Sequence, residues 1–278
     1  MTPPQGGTGD GSPSAARGVD ADGRDSPGLE ARAAGESSQV AIVVTENAVT
    51  VSFNNPARRN VFTPEVALSV VDALEVAASQ RLPLVLRSAA PGMFVAGADL
   101  VSVRARTTND SLDRSTGKVF DQLYDHPYPT VAVVDGFALG GGCELALACD
   151  FRISTPDARW GLPEVTLGLI PSAGGLSRLR SLVGESIAVD LTLTGRRISG
   201  AEAARIGLVQ RLASAENLDE QLAALLHELS QADPMALRLA KGAMRVVGDQ
   251  NRLVDAAAQA LCIANPDAQA RIEALLGK

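Results

Sequence analysis

The first regular pattern along the chain is an alternation. From Val40 the stretch VAIVVTENAVTVSF sets valine and isoleucine against polar positions on both sides of Glu46-Asn47, which predicts a β-hairpin. The period then changes. Val66, Val70, Leu74 and Val76 fall near helical spacing behind Thr63, an N-cap residue, and Pro64 at the first helical position, so a helix is predicted there. Apolar runs from Leu84 to Arg87, Thr130 to Val134 and Phe151 to Ser154 read as buried strands. A helix around Leu176 to Val183 follows, with Gly184 placed to end it. Strands alternating with helices put the core in the α/β class.

Past Arg196 the pattern becomes helical throughout. Ser199 and Glu202 form a capping-box spacing for a helix ending near Gly207, and three further helical segments run around Leu218 to Ala232, Pro234 to Val247 and Leu253 to Ala264. The chain therefore divides into an α/β core over 39–196 and a helical region over 197–278, rich in alanine and leucine, that can pack on the core or on another subunit. The first 38 residues hold 8 of the 26 glycines and set three arginines against six acidic residues, a composition that predicts disorder over 1–38. This tail has no apolar segment of a secretory signal, and its acidic residues argue against a mitochondrial presequence.

Composition narrows the function classes. With 278 residues, 46% of them hydrophobic, the chain can bury a substantial core. A net charge of -7 argues against a nucleic-acid or anionic-membrane surface, leaving room for a local basic patch that takes a small phosphorylated ligand. No apolar run approaches the roughly 18 residues of a membrane-spanning helix. Cys143, Cys149 and Cys262 have neither paired nor metal-ligand spacing, so no metal site is expected and a reducing cytoplasm fits.

Three segments carry candidate chemistry. In GFALGGGCELALACD, from Gly136, glycines without Cβ atoms let a ligand approach the backbone, and the free N–H groups of the helix they open point outward with Glu144 just behind them. Taken alone, that glutamate reads equally as a favourable charge in the first helical turn. In MFVAGADL, from Met93, a strand end gives way to small residues; Asp99 can cap the next helix while the Ala98 N–H faces a ligand. Two such N–H groups make an oxyanion hole. In WGLPEVTLGLIPSAGGLSRL, from Trp160, a second carboxylate, Glu164, stands behind a proline among Leu162, Pro163 and Val165, where an isolated charge requires a reason. Asp150 reads as a buried hydrogen-bonding group. His126 and His227 have no acid or nucleophile at a telling spacing and are given no role.

In spelling and order these segments resemble the enoyl-CoA hydratase/isomerase (crotonase) superfamily, whose blocks F-x-A-G-A-D, G-x-A-x-G-G-G-x-E and G-x-P-E with I-P-x-A-G-G are matched by FVAGAD, GFALGGGCE, and GLPE with IPSAGG. The similarity runs from Val40 to Val247 and includes FNNPARRNVFTPE, PYPTVAVVDG, TGRRISGAEAARIGLV and PMALRLAKGAM. It implies a spiral of repeated ββα units with a C-terminal helical appendage, assembled as a homotrimer or dimer of trimers. It also implies an acyl-CoA thioester substrate whose carbonyl oxygen is held by the Ala98 and Gly141 N–H groups, with no cofactor beyond the coenzyme A that the substrate carries.

Both carboxylate positions of the hydratases are filled, by Glu144 and Glu164. The resemblance thus implies water activated by Glu144 for attack on C3 of a 2-enoyl-CoA, with protonated Glu164 delivering a proton to C2. Ala57, Arg58, Ala96, Asp99, Ser172 and Lys241 fall at positions implied to contact substrate or its CoA moiety. Two departures stand out: Ser172 replaces the usual glycine of I-P-G-A-G-G, and ANPDAQARIEALLGK replaces the usual E-G-x-x-A-F-x-x-K-R ending. Another crotonase reaction, such as double-bond isomerisation or dehydration of a specialised 3-hydroxyacyl-CoA, and a non-catalytic CoA-binding relative are the alternatives.

Overall fold

The valine alternation at the front of the chain folds as the expected hairpin. Strands β1 (Val40–Val44) and β2 (Val49–Phe53) pair antiparallel with Val44 opposite Val49, and the Thr45 N–H closes the turn onto the Ala48 carbonyl at 3.0 Å. The computed structural model describes residues 39–105, 107–245 and 251–275; the tail expected to be disordered, 1–38, lies outside them. Helix α1 (Pro64–Gln80) starts where the sequence predicts, its N-cap Thr63 hydroxyl accepting the Val66 N–H at 3.3 Å. Ala73 and Ala77 join Val66, Val70 and Leu74 on its buried stripe.

From here the chain repeats one motif: a strand in a six-stranded sheet, a short strand in a four-stranded sheet, then helix. The first copy is β3 (Leu84–Ser88), β4 (Met93–Val95) and the helices α2 (Leu100–Ala105), α3 (Thr108–Asp113) and α4 (Ser115–Asp125). Next come β5 (Thr130–Val134), β6 (Phe137–Leu139) and α5 (Gly141–Ala148). The third copy is β7 (Phe151–Ser154), β8 (Arg159–Gly161), a 3-10 turn over Pro163–Leu167, and the helices α6 (Gly175–Val183) and α7 (Glu185–Thr194). This is the expected spiral of ββα units. The large sheet has the order β1-β2-β3-β5-β7-β10 and is parallel from β2 onward; the small sheet has the order β4-β6-β8-β9.

Strand β5 shows why its sequence is apolar throughout. Ala132 and Val134 belong to the main core between sheets and helices, whereas Val131 and Val133 face a second cluster with Leu218, Leu222 and Leu225 of α9 (Leu218–Ser230). A parallel strand covered on both faces has no polar side to present.

The sheets also reach beyond the expected boundary at residue 196. Short strands β9 (Ile198–Ser199) and β10 (Arg211–Leu212) pair with β8 and β7, and α8 (Gly200–Arg205) links them, so the first part of 197–278 belongs to the core. Only half of the capping box forms: the Ser199 hydroxyl accepts the Glu202 N–H at 3.1 Å, while the Glu202 carboxylate pairs with Arg196 at 2.9 Å instead of reaching back. The appendage proper is α9, α10 (Pro234–Met244), α11 (Asn251–Ala264) and α12 (Pro266–Leu275). Helix α12, within the atypical C-terminal stretch, has no counterpart in the elements read from sequence. Among the described residues no helix is long and apolar enough to cross a membrane.

Asp150 ties the appendage to the core. Its Oδ2 accepts the Thr130 N–H and hydroxyl at 2.8 and 3.0 Å and the Lys241 ammonium at 2.6 Å, and its Oδ1 accepts Arg245 at 2.9 Å. Asp150→Ala leaves Lys241, 7% exposed, without its counterion. Removing one partner of such a buried pair costs about 3–5 kcal/mol, a loss to be read as a lower urea midpoint at unchanged slope.

Candidate active site

Three consecutive strands of the small sheet deliver the candidate residues at their C-terminal ends. Strand β4 pairs parallel with β6, and β6 with β8, so the chain leaves all three in the same direction. The segment after β4 carries Ala98, α5 after β6 carries Gly141 and Glu144, and the 3-10 turn after β8 carries Glu164. The carboxyl ends of parallel strands are where α/β proteins place ligands.

The two glycine-rich turns lie against each other. A Cβ on Gly141 would sit 3.5 Å from the Ala98 nitrogen, so any side chain there would cover that amide. Among the described residues no acceptor takes the Ala98 or Gly141 N–H. Gly141 opens α5, whose first-turn N–H groups and dipole favour negative charge at that end.

Glu144 sits in the first turn of α5 and is only 4% exposed. Its Oε1 accepts the Ala173 N–H at 2.8 Å and the Gly175 N–H at 2.9 Å, from the loop entering α6. A side chain on Gly175 would collide with this carboxylate, its Cβ falling 2.8 Å from Oε1. Burial pushes the Glu144 carboxyl above its usual range; the Gly175 and Ala173 N–H groups, then the Arg178 and Arg114 guanidiniums, pull it back. Glu164 has only its own backbone N–H drawing its carboxyl down. Its Oε1 lies 3.1 Å from the Cβ position of Gly140, close beside the glycine turn, and its Oε2 is buried with no partner among the described residues. Burial pushes its carboxyl up to about 7, and the neighbouring Glu144 charge pushes the same way. Glu144 is thus anchored by two backbone N–H donors, while Glu164 is governed mainly by desolvation.

The remaining sequence-predicted residues fall into two groups. Ala57 and Arg58 occupy an exposed 3-10 turn, Pro56–Arg58, that borders the β4 segment: the Arg59 carbonyl accepts the Ala96 N–H at 3.1 Å, and Arg58 pairs with Asp99 at 3.2 Å. The Ala96 amide is therefore already committed. Asp99 caps α2 as expected, accepting the Val101 N–H at 3.4 Å and the Ser102 hydroxyl at 2.9 Å, which holds its carboxyl below the usual range. Ser172 is exposed beside the loop that grips Glu144.

Lys241 departs from the expected CoA contact. Its ammonium is buried against Asp150 and the Tyr128 carbonyl, the latter at 2.9 Å, because an ammonium taken out of water needs a counterion more than reach. His126 is buried, and its imidazole is pushed down to about 4, chiefly by desolvation. Cys143 and Cys149 are buried with thiols pushed up, as small core residues are.

Two contributors were not singled out from sequence: the Ala173 and Gly175 N–H groups, and Arg178 behind them. The signal for the first was the IPSAGG turn ahead of a helix. For Arg178, only a charge at an otherwise apolar helix position was available.

Parallel strand ends thus bring together two N–H groups with no acceptor among the described residues and two carboxyls whose pKa values are both pushed up. The chain matches the enoyl-CoA hydratase/isomerase family over residues 44–270 and belongs to it. It is 36% identical over 195 residues to a probable enoyl-CoA hydratase of Mycobacterium leprae, covering 70% of this chain and 76% of that one. It is also 33% identical over 241 residues to a crotonyl-CoA hydratase of Syntrophomonas wolfei, covering 84% and 93%. Among solved structures, an enoyl-CoA hydratase from Bacillus anthracis superposes with a TM-score of 0.80 at 31% identity, over 86% of this chain and 95% of that one.

The raised Glu164 pKa has a consequence for stability. A folded-state pKa of about 7, above the unfolded value near 4.5, stabilises the fold at acid pH, and that contribution is lost as pH rises through 7. Glu164→Gln is expected to raise the melting temperature relative to the wild type more at pH 8 than at pH 5, as measured by calorimetry at both values.

Proposed function

We propose that the chain is an enoyl-CoA hydratase, adding water reversibly across the 2,3 double bond of a 2-enoyl-CoA. The observation that carries this reading is the asymmetry of the two carboxyls: Glu144 fastened by two backbone N–H groups, Glu164 half-buried with an Oε2 that has no partner among the described residues and a pKa of about 7. An isomerase needs one group to move one proton; addition of water across a double bond uses a base for the water and an acid for carbon.

In this reading the thioester oxygen accepts from the Ala98 and Gly141 N–H groups. Glu144 takes a proton from water as its oxygen bonds to C3, and the π electrons shift through C2 onto the thioester oxygen as an enolate. Each N–H donor aimed at that charge stabilises it by about 3 kcal/mol. Glu164 then gives its proton to C2, the enolate collapses, and a 3-hydroxyacyl-CoA is left. Arg58 and the Ala57 backbone, on the exposed turn beside the β4 segment, are positioned for the CoA moiety. The trimer or dimer of trimers is supported by the appendage, where α11 packs on α10 and α12 and leaves Leu261, Ile263 and Ile272 about half exposed.

The test is loss of the conjugated enoyl-thioester absorbance of crotonyl-CoA. Glu144→Gln and Glu164→Gln should each lower kcat by about 10²–10⁴-fold, the range of a positioned acid or base. The wild-type hydration rate should fall as pH rises through about 7, where Glu164 loses the proton it must donate, and fall again in acid as Glu144 becomes protonated. Full activity in either variant, or an alkaline plateau, overturns the reading; a shifted double bond without water uptake returns the isomerase.

A further inference from the structure

Glu144 does not fix its own position. The loop that holds it is braced from behind by Arg178, one turn into α6 and 8% exposed. Arg178 Nη1 donates to the Ala173 carbonyl at 2.8 Å; its Nη2 reaches Asp121 Oδ1 at 2.7 Å and the Phe120 carbonyl at 3.4 Å, both on α4. Ala173 is thus gripped twice, its C=O by Arg178 and its N–H by Glu144. The Tyr124 ring packs on the guanidinium at 4.8 Å, and Arg114 Nη2 meets the other Asp121 oxygen at 3.3 Å.

Among the described residues, the charged groups acting on Glu144 include Arg178 from α6 and Arg114 just ahead of α4, both paired with Asp121 on α4, and Glu164 from the 3-10 turn after β8. Two guanidiniums share one aspartate, so the Arg114–Asp121–Arg178 chain carries one net positive charge (2 − 1). A neutral Glu164 adds none. That surplus matches the single negative charge of an ionised Glu144.

We infer that Arg178, backed by Asp121 and Arg114, is a positioning residue of the reaction: it sets the loop that grips Glu144 and supplies the countercharge that keeps this carboxylate ionised in a dry site. The inference rests on Glu144 serving as the base for water. Both guanidiniums oppose the rise that burial imposes on the Glu144 carboxyl. An arginine that only tied the Ala173 loop to α4, its charge not reaching Glu144, would leave the ionisation of Glu144 unchanged when Arg178 is replaced by a neutral residue.

The test reads Glu144 directly, by infrared titration of the full chain with the Glu144 band assigned by subtracting the Glu144→Gln spectrum. Arg178→Met should move the Glu144 titration up by about 1 pH unit, the usual effect of losing a nearby opposite charge. Asp121→Asn, which frees both guanidiniums, should move it down. Arg178→Lys keeps the charge without the fork and should fall between the wild type and Arg178→Met.

On crotonyl-CoA the acid limb of kcat/KM should move with each infrared shift, and kcat should fall more than KM rises. Asp121 is partly exposed, so Asp121→Asn together with Arg178→Lys carries the test should Arg178→Met not fold. A Glu144 titration that coincides in the wild type, Asp121→Asn and the Arg178 variants overturns the inference, whatever the activities. Absence of turnover by the wild type alongside the infrared shifts rejects the hydratase reading and leaves the control of Glu144 by Arg178 standing.

Discussion

The parallel register of three short strands is the constraint on which the site depends. Strands β4, β6 and β8 have three residues each, and none presents a periodicity of its own. Paired side by side, they bring three chain segments to one edge: Leu139 lies opposite Gly161, and the Gly140 N–H reaches the Gly161 carbonyl at 2.9 Å. A slip of one residue in that ladder would turn alternate side chains to the other face and carry Glu164 away from the glycine turn. The large sheet and its two apolar clusters hold the small one in place, since each ββα unit contributes a strand to both.

Electrostatics at that edge follows from burial. Two carboxyls withdrawn from water cannot both stay ionised cheaply, and the fold distributes backbone donors unequally between them. Glu144 receives two N–H groups and the reach of two guanidiniums; Glu164 receives a proline-led turn and apolar neighbours. The outcome is two neighbouring carboxyls held unequally, both with raised pKa values. The same economy governs Lys241, whose burial obliges it to keep Asp150 as its partner, so that a lysine at a familiar position in the sequence becomes a clamp between appendage and core.

The long or strongly patterned elements were legible from the chain: the β1–β2 hairpin, α1 with its Thr63 cap, β3, β5, β7 and α6 all fall where periodicity and capping put them. Short strands were not, because a three-residue segment contains too few positions to define a period. The strands past residue 196 were hidden for the same reason: β9 and β10 have two residues each and exist only through pairing with strands laid down earlier.

The sequence by itself determined the α/β class and, through three ordered motifs, the family, and it singled out Glu144, Glu164, Ala98 and Gly141 as candidates. Spelling suffices to single them out, since a missing Cβ at Gly141 or a carboxyl among apolar residues is a property of the residue itself. Tertiary structure alone decided which N–H groups fasten Glu144, that Arg178 braces them, and that Lys241 turns inward. Apart from the Arg178–Ala173 bond, those are relations between residues dozens of positions apart. A hydrogen bond or a desolvated charge depends on what folding brings within about 3 Å, and no local pattern encodes that distance.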